Sequence, residues 1–265
     1  MPFHRFENFA SAALTPHLSS ATGPVIEGRY MYFCLVSKEA GTGSELHYHP
    51  NELLIFPIEG KINAIVGKDR RIVSPGTFVH APAFARHSMK ATEDGPVHYL
   101  YIKDQTWSVV GLAADEAVPD KPMSVEEVNR LYESGEISNR KQEGESQIII
   151  DGLPECYYPI VDSLDAPSCS ARREVWTDGE RLGFGFFELP PGHQEEPRET
   201  IHEEFLYVLR GELRAEVGNE VKDLAQGDII EAPRGTRISL SSTTGRVRFV
   251  IVRSLAFLEA MVDAA

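Results

Sequence analysis

The sequence from Gly43 to Gly60 is GSELHYHPNELLIFPIEG. Its second half is apolar and ends at a glycine, a pattern typical of a β-strand that runs into a turn. His47 and His49 are two residues apart, and strand side chains alternate between faces, so both imidazoles point to one side. His87 offers a third imidazole further along the chain. Because three neutral imidazoles suit a transition metal such as Fe, Zn, Ni or Cu, we expect these histidines to share one ion.

The histidine stretches also carry a resemblance to a known family. Residues 43–60 and 75–87 resemble the two motifs of the cupin superfamily of small β-barrels. The first family motif has two histidines and a glutamate before a glycine, and the second has a histidine five residues after a proline. His47, His49 and His87 stand at the three histidine positions. The resemblance therefore implies that these three residues are the metal ligands.

The glutamate of the first family motif is replaced in this chain. Its position, seven residues before Gly60, is occupied by Leu53. Glu52 is the adjacent residue, and on a regular strand it faces the opposite side from Leu53. A bulge near Pro50 would turn Glu52 inward. We therefore retain Glu52 as a fourth candidate ligand.

Glycines and prolines recur at a constant spacing along the chain. Four pairs are separated by 151 residues, namely Gly60 and Gly211, Gly67 and Gly218, Gly76 and Gly227, and Pro82 and Pro233. Glycine and proline fix turns, so a repeat of these residues indicates a repeat of the fold. The repeat and the resemblance together predict an all-β bicupin, with two tandem cupin barrels of the double-stranded β-helix or jelly-roll type.

The predicted bicupin divides into three parts. We expect an N-terminal barrel with the metal site over residues 1–112, a linker over 113–171, and a C-terminal barrel over 172–265. Ser124 and Glu127 have the Ser-x-x-Glu spacing of a capping box, and apolar residues follow at helical spacing. The linker is therefore predicted to carry a short helix.

The same spacing predicts that the C-terminal barrel lacks metal ligands. The positions equivalent to His47, His49, Leu53 and His87 hold, in that order, Arg198, Thr200, Glu204 and Ile238. Arginine, threonine and isoleucine do not replace imidazoles at a transition-metal site. His193 and His202 lie nearby but away from the inherited positions. We expect this barrel to support the fold or a dimer interface.

Tyr99 and Tyr101 are the candidate catalytic residues. In the repeat, His98, which precedes Tyr99, aligns with Arg248. An arginine seldom faces the interior of a barrel, so the tyrosine face of this strand is predicted to point inward. Two tyrosines near a metal can orient a substrate or donate a proton. The alternative, that both are core aromatic residues with satisfied hydroxyl groups, is equally open.

Composition and charge exclude some functions. The chain has 265 residues, of which 42% are hydrophobic, and a formal net charge of -14. This charge argues against nucleic-acid binding, which needs a basic surface, and against anionic membranes. No apolar run approaches the roughly 18 residues of a membrane span, and the first residues lack a signal-peptide pattern. The three widely spaced cysteines fit reduced thiols, so we expect a cytoplasmic protein.

The ligand set suggests a reaction class. Within cupins, a site with three histidines and no glutamate resembles the dioxygenases that act on thiols, β-diketones or hydroxylated aromatic acids. The resemblance implies a mononuclear non-haem dioxygenase that cleaves a C–C bond of a small diketone or hydroxylated aromatic substrate. Fe(II) is the expected cofactor, and Zn, Ni and Mn are the other candidate metals. The expected partners are this small-molecule substrate and a second copy of the chain in a homodimer.

Two alternatives to a dioxygenase stay open. The same site with Zn or Ni suits an isomerase, lyase or cyclase, because a Lewis acid can stabilise an enolate without O2. The chain could also be a small-molecule-binding bicupin without turnover. The oxalate-degrading bicupins share the expected architecture, but they use the glutamate that Leu53 replaces here. That activity therefore ranks lower.

Overall fold

The structure, a computed structural model, describes residues 1–137, 144–165, 171–243 and 245–264. Strands dominate it and form two tandem barrels, each made of one large and one small antiparallel sheet. The predicted all-β class and the two-barrel architecture are confirmed. Cys34 and Cys156 are buried free thiols, and Cys169 lies outside the described residues.

The chain forms strands in both halves and two short helices. The strands are β1 Phe3–Arg5, β2 Ser11–Ala13, β3 Thr22–Glu27, β4 Met31–Lys38, β5 His47–Tyr48, β6 Leu53–Glu59, β7 Ile62–Val66, β8 Asp69–Val73, β9 Thr77–Ala81, β10 His87–Ala91, β11 Val97–Asp104, β12 Leu112–Ala113, β13 Tyr157–Pro159, β14 Arg173–Asp178, β15 Leu182–Leu189, β16 Arg198–Glu199, β17 Glu204–Arg210, β18 Leu213–Val217, β19 Glu220–Leu224, β20 Asp228–Ala232, β21 Arg237–Ser242 and β22 Val247–Ser254. The helices are α1 Val125–Glu133 and α2 Ala256–Asp263, and a 3-10 turn spans Phe6–Asn8.

Each barrel pairs a large sheet with a small one. In the first barrel, the sheets have the orders β13-β9-β6-β11-β4-β3-β2 and β12-β5-β10-β7-β8. In the second, the orders are β1-β20-β17-β22-β15-β14 and β16-β21-β18-β19. Two pairings cross the boundaries expected from the sequence, because β1 pairs with β20 and β13 pairs with β9. The first residues of the chain therefore complete a sheet of the second barrel.

The turns of the two barrels are equivalent, as the glycine spacing predicted. Gly60 and Gly211 have φ values of +74° and +82°, a region that favours glycine. A Cβ atom at either position would lie 2.1 Å from a backbone carbonyl oxygen, that of Pro96 or of Arg246. Only a residue without a side chain fits either turn, so the recurrence of glycine follows from backbone sterics.

The predicted linker helix is present. In α1, the Ser124 side chain accepts a hydrogen bond from the backbone N–H of Glu127 at 3.1 Å, which is the capping expected from the sequence. Val128 and Leu131 bury the inner face of the helix. Helix α2 was not predicted from the sequence. Neither helix in the described ranges has the length and apolar character needed to cross a lipid bilayer.

The large sheets of the two barrels pack on each other through aromatic side chains. Phe33 and Phe205 stack with ring centroids 5.1 Å apart, and Phe184 contacts both Phe56 and Phe78. The strand β6 is apolar without alternation because both of its faces are buried. Leu54 and Phe56 face the second barrel, whereas Leu53 and Ile55 face the interior of the first.

Glu52 joins the first barrel to the second. Its carboxylate is buried and accepts the backbone N–H groups of three consecutive residues at 2.8–2.9 Å, namely Glu180, Arg181 and Leu182. It also accepts a hydrogen bond from Nε2 of His80 at 2.6 Å. Burial raises the pKa of Glu52, but these donors outweigh burial and hold the pKa below its ordinary value. The turn between β14 and β15 is therefore held by a residue of the other barrel.

Glu203 makes the reciprocal contact. It lies 151 residues after Glu52, and its carboxylate accepts the backbone N–H groups of Arg29 and Tyr30 at 2.6 and 2.9 Å. These donors belong to the turn between β3 and β4 in the first barrel. Gly28 and Gly179 in the two turns admit the carboxylates, since a Cβ atom at either would lie within 3 Å of one. Each barrel thus clamps a turn of the other.

We predict that Glu52→Ala lowers the free energy of unfolding by about 2–4 kcal/mol. The substitution leaves three N–H groups of a buried turn without their acceptor, and each such loss costs about 1–3 kcal/mol before local relaxation. Urea denaturation followed by circular dichroism measures the change. Glu59→Ala, at the exposed end of the same strand, is the matched control and should change the free energy by less than about 0.5 kcal/mol. Equal effects of the two substitutions would contradict the clamp.

Candidate metal centre

The three predicted histidines meet at one point in the first barrel. His47 begins β5, His87 begins β10, and the two are directly opposite each other in neighbouring antiparallel strands. His49 follows β5 on the same face as His47. One imidazole nitrogen from each residue lies within 4.8 Å of the others, and all three residues are buried. The structure therefore brings together the three candidate ligands that the sequence predicted.

Hydrogen bonds orient two of the imidazoles. Nδ1 of His47 donates to the carbonyl oxygen of Glu45, and Nδ1 of His87 donates to that of Ala85, both at 2.8 Å. A carbonyl oxygen only accepts, so Nδ1 carries the proton in both residues, and Nε2 keeps a lone pair. Nε2 of His87 is buried without a hydrogen-bond partner. An orphaned, correctly oriented nitrogen is what a metal ligand requires.

His49 is oriented by a buried lysine. Its Nδ1 is in close contact with Nζ of Lys103, which also donates to the carbonyl oxygen of Val109 at 3.0 Å. Burial lowers the pKa of Lys103 well below its ordinary value. A neutral Lys103 amine accepts a hydrogen bond from Nδ1–H of His49, which leaves Nε2, also buried and unpartnered, free to bind. The three residues therefore fit a divalent metal, and their chemistry favours a transition ion.

Burial also keeps the imidazoles neutral. It lowers the pKa of His47 and His49 well below the ordinary histidine value, and that of His87 to about 3. A protonated imidazole cannot bind a metal, so these shifts favour the ligand form at neutral pH.

Glu52 does not lie in this cluster. Within the described ranges, the metal-binding group consists of the three histidines. The Glu52 carboxylate points to the other face of β6, where it holds His80 and the turn of the second barrel. Glu52 thus faces outward, as strand alternation predicted, and is not turned towards the histidines by a bulge near Pro50, because its donors lie in the interface between the barrels. Leu53, at the glutamate position of the family motif, faces the barrel interior.

Tyr99 and Tyr101 lie inside the first barrel, on the inward face of β11. Both are buried, with ring centroids 6.3 Å apart, and they belong to the core cluster of this barrel. Nζ of Lys103, the residue that contacts His49, lies 5.3 Å from the centre of the Tyr101 ring. Burial raises the pKa of both phenols, so they stay protonated at neutral pH. Their catalytic role stays a prediction.

Two buried lysines were missed by the sequence reasoning. Lys103 is fully buried, and Lys38 is 4% exposed. Strand alternation could have predicted both, because residues two apart on a strand share a face. Lys103 is two residues after Tyr101, and Lys38 is two residues after Val36. Lysine was not expected inside a barrel, since it is rarely buried without a partner.

An ion pair occupies the equivalent region of the second barrel. Arg198 pairs with Ile238 in the same register that His47 and His87 adopt in the first barrel. The guanidinium of Arg198 binds both carboxylate oxygens of Glu204, at 2.9 and 2.5 Å. His193 and His202, which stand off the inherited positions, bind glutamates instead: Glu195 at 3.0 Å and Glu259 at 3.1 Å. The described part of this barrel holds no group of three metal-ligating side chains.

We predict that His47→Ala combined with His87→Ala abolishes metal binding, because two of three ligands are removed. Elemental analysis of the purified protein measures the metal content. Glu204→Ala, in the second barrel, is the matched control and should retain the metal. A double variant with an unchanged metal content would refute the assignment of the ligands.

Gly111 covers the imidazoles and gives a second test. A Cβ atom at this position would lie 2.7 Å from Cδ2 of His47 and 3.0 Å from Cε1 of His49. We predict that Gly111→Ala lowers metal affinity by about tenfold or more, because it displaces two ligands from their orientation. Competition with a chelator measures the affinity. Gly95→Ala meets no atom within 4 Å and should leave the affinity unchanged, so equal affinities of the two variants would contradict the prediction.

Comparison with known proteins identifies the family. A model described as the cupin domain matches residues 34–103 and 185–253, which together exceed half of the chain. No curated protein matches the sequence.

Solved structures of oxalate decarboxylase are similar in fold. A structure concerned with the Mn(II) centres of the Bacillus subtilis enzyme is 14% identical, with a TM-score of 0.67. Another, concerned with substrate binding and reaction specificity in oxalate decarboxylase, is 15% identical, with a TM-score of 0.66. Each match covers 96% of this chain and 77% of the other. With a cupin domain in each half and the same overall fold as these enzymes, the chain belongs to the cupin superfamily and is a bicupin.

Proposed function

We propose that the protein is a mononuclear metal-dependent enzyme, specifically a non-haem Fe(II) dioxygenase that cleaves a C–C bond of a small diketone or hydroxylated aromatic substrate. The observation that carries this proposal is the donor set. It consists of three neutral imidazoles without a carboxylate, in a buried site. Such a set binds a divalent ion and leaves its remaining positions for other ligands.

The bound metal would supply Lewis acidity towards two substrate oxygens and the one-electron chemistry that O2 requires. The chain supplies orientation. The carbonyl groups of Glu45 and Ala85 and the amine of Lys103 fix the three imidazoles. The backbone of Gly111 packs against the imidazoles of His47 and His49.

The tyrosines suit proton donation to the substrate. Tyr99 and Tyr101 carry phenols whose pKa is raised by burial, so each retains its proton at neutral pH. A neutral phenol can donate a hydrogen bond to an enolate or phenolate oxygen and stabilise its charge. The same feature supports the Zn- or Ni-dependent isomerase, lyase or cyclase as the second candidate, since that chemistry also passes through an enolate.

The experiment begins with protein purified without an affinity tag. Elemental analysis identifies the native metal, and O2 uptake is then followed after anaerobic loading with Fe(II), against a panel of diketones and hydroxylated aromatic acids. We expect about one metal per chain and substrate-dependent O2 uptake. Bound metal without uptake on any substrate would reject the dioxygenase in favour of the isomerase class. No bound metal would leave a binding protein.

For the tyrosines, we predict that Tyr99→Phe or Tyr101→Phe lowers kcat by at least about tenfold, because the phenol proton is lost. Metal content should stay unchanged, since neither phenol is a ligand. Steady-state kinetics on the substrate identified in the panel measures the change. Unchanged kcat in both variants would show that the tyrosines are core residues. The homodimer and the cytoplasmic location stay predictions.

A further inference from the structure

Lys38 places an amine inside the first barrel. It is the last residue of β4 and is 4% exposed. Its Nζ donates to the carbonyl oxygen of Met89 at 2.6 Å and lies 5.9 Å from the centre of the Tyr99 ring. The backbone carbonyl satisfies one of the three protons that an ammonium can donate. The remaining donors face the interior wall that also carries the tyrosines.

No carboxylate in the described part of the chain pairs with this amine. The charged neighbour that acts on it is another cation, Lys90. Burial, reinforced by this like charge, lowers the pKa of Lys38 to about 7. Removing an ammonium from water without a counter-charge is costly, and the Met89 carbonyl and the Tyr99 ring offset only part of that cost. Such a position is stabilised by an anion that arrives with a ligand.

Lys38 and the histidines lie inside the same barrel. Met89, whose carbonyl oxygen binds Lys38, is two residues after His87 on β10, so the two side chains share a face about 7 Å apart. Val36, two residues before Lys38 on β4, lies with Met89 in the core of the first barrel, so the Lys38 side chain points into the same barrel. The amine of Lys38 and the histidines therefore lie on the interior side of one barrel, close to the same stretch of β10.

The charges of the site are not balanced by the chain. A divalent ion on three neutral imidazoles is positive, Glu52 is engaged in the interface, and Leu53 stands where a carboxylate would have contributed negative charge. We infer that the substrate is an acid, which binds the metal through two oxygens and places a separate carboxylate on Lys38. This inference rests on the proposed metal site and favours hydroxylated aromatic acids over neutral diketones.

A matched pair of probes tests the inference without turnover. The protein is loaded with Zn(II), which is redox-inert, and binding is measured by calorimetry. The probes are 3,4-dihydroxybenzoate and 3,4-dihydroxybenzamide, which share two adjacent phenolic oxygens and differ in the charge at the far end. We expect Lys38→Met to weaken binding of the benzoate by about tenfold or more and to change binding of the benzamide by less than about twofold.

Two further variants complete the design. Lys61→Met removes an exposed lysine that does not act on Lys38 and should leave both affinities unchanged. Lys38→Gln retains a donor to the Met89 carbonyl and should lose the benzoate preference as Lys38→Met does, which covers the case in which the methionine variant does not fold. Equal weakening of both probes, no weakening of either, or no binding of the benzoate to the unmodified protein would each overturn the inference.

The outcomes separate this inference from the proposed reaction. Charge-dependent binding that requires Lys38, together with no O2 uptake by the Fe(II)-loaded protein, would keep the acid specificity and reject the dioxygenase. O2 uptake on a neutral diketone that Lys38→Met does not change would keep the dioxygenase and reject the acid specificity.

Discussion

The reciprocal carboxylate clamps are the constraint on which the rest of the structure depends. Glu52 and Glu203 each leave their own barrel and satisfy the backbone of a turn in the other. A buried carboxylate with several N–H donors cannot be turned away without leaving those donors unsatisfied. The side of β6 that Glu52 occupies is therefore fixed, and alternation then places Leu53 on the inner side. The interface between the barrels thus keeps the carboxylate of Glu52 away from the three histidines.

A second set of contacts, through Asp104, links the interface between the barrels to the metal centre. Asp104 accepts the backbone N–H of Glu52 at 2.6 Å and binds Arg181 of the second barrel at 3.2 Å. Asp104 is adjacent to Lys103, whose amine orients His49. Neighbouring residues on one strand point in opposite directions, so one faces the interface and the other faces the metal. The packing of the two barrels and the orientation of a ligand are consequently coupled through a single strand, β11.

Local chemistry made much of this structure predictable. The spacing of Gly60 and Gly211 predicted equivalent turns. The prediction holds because only glycine fits where a backbone carbonyl lies 2.1 Å from the Cβ position. The histidine pair followed from strand alternation, and His87 from its place in the family motif. Contacts between residues that are far apart in the sequence were not predictable. The donors to Glu52 come from residues about 130 positions later, and β1 pairs with β20 across almost the whole chain. Glu52 and Glu203 are 151 residues apart, and so are Gly28 and Gly179. This common spacing could have predicted the clamps.

The two barrels differ in how positive charge at the ligand positions is neutralised. In the second barrel, the cation at the inherited ligand position is the guanidinium of Arg198, and Glu204 neutralises it within the chain. In the first barrel, the equivalent of Glu204 is Leu53, so nothing in the described chain neutralises a bound cation or the amine of Lys38. A neutral ion pair needs no ligand to be stable, whereas an uncompensated positive site is stabilised when an anion enters. On the inferred acid specificity, the leucine at this position is what suits the first barrel to an anionic substrate.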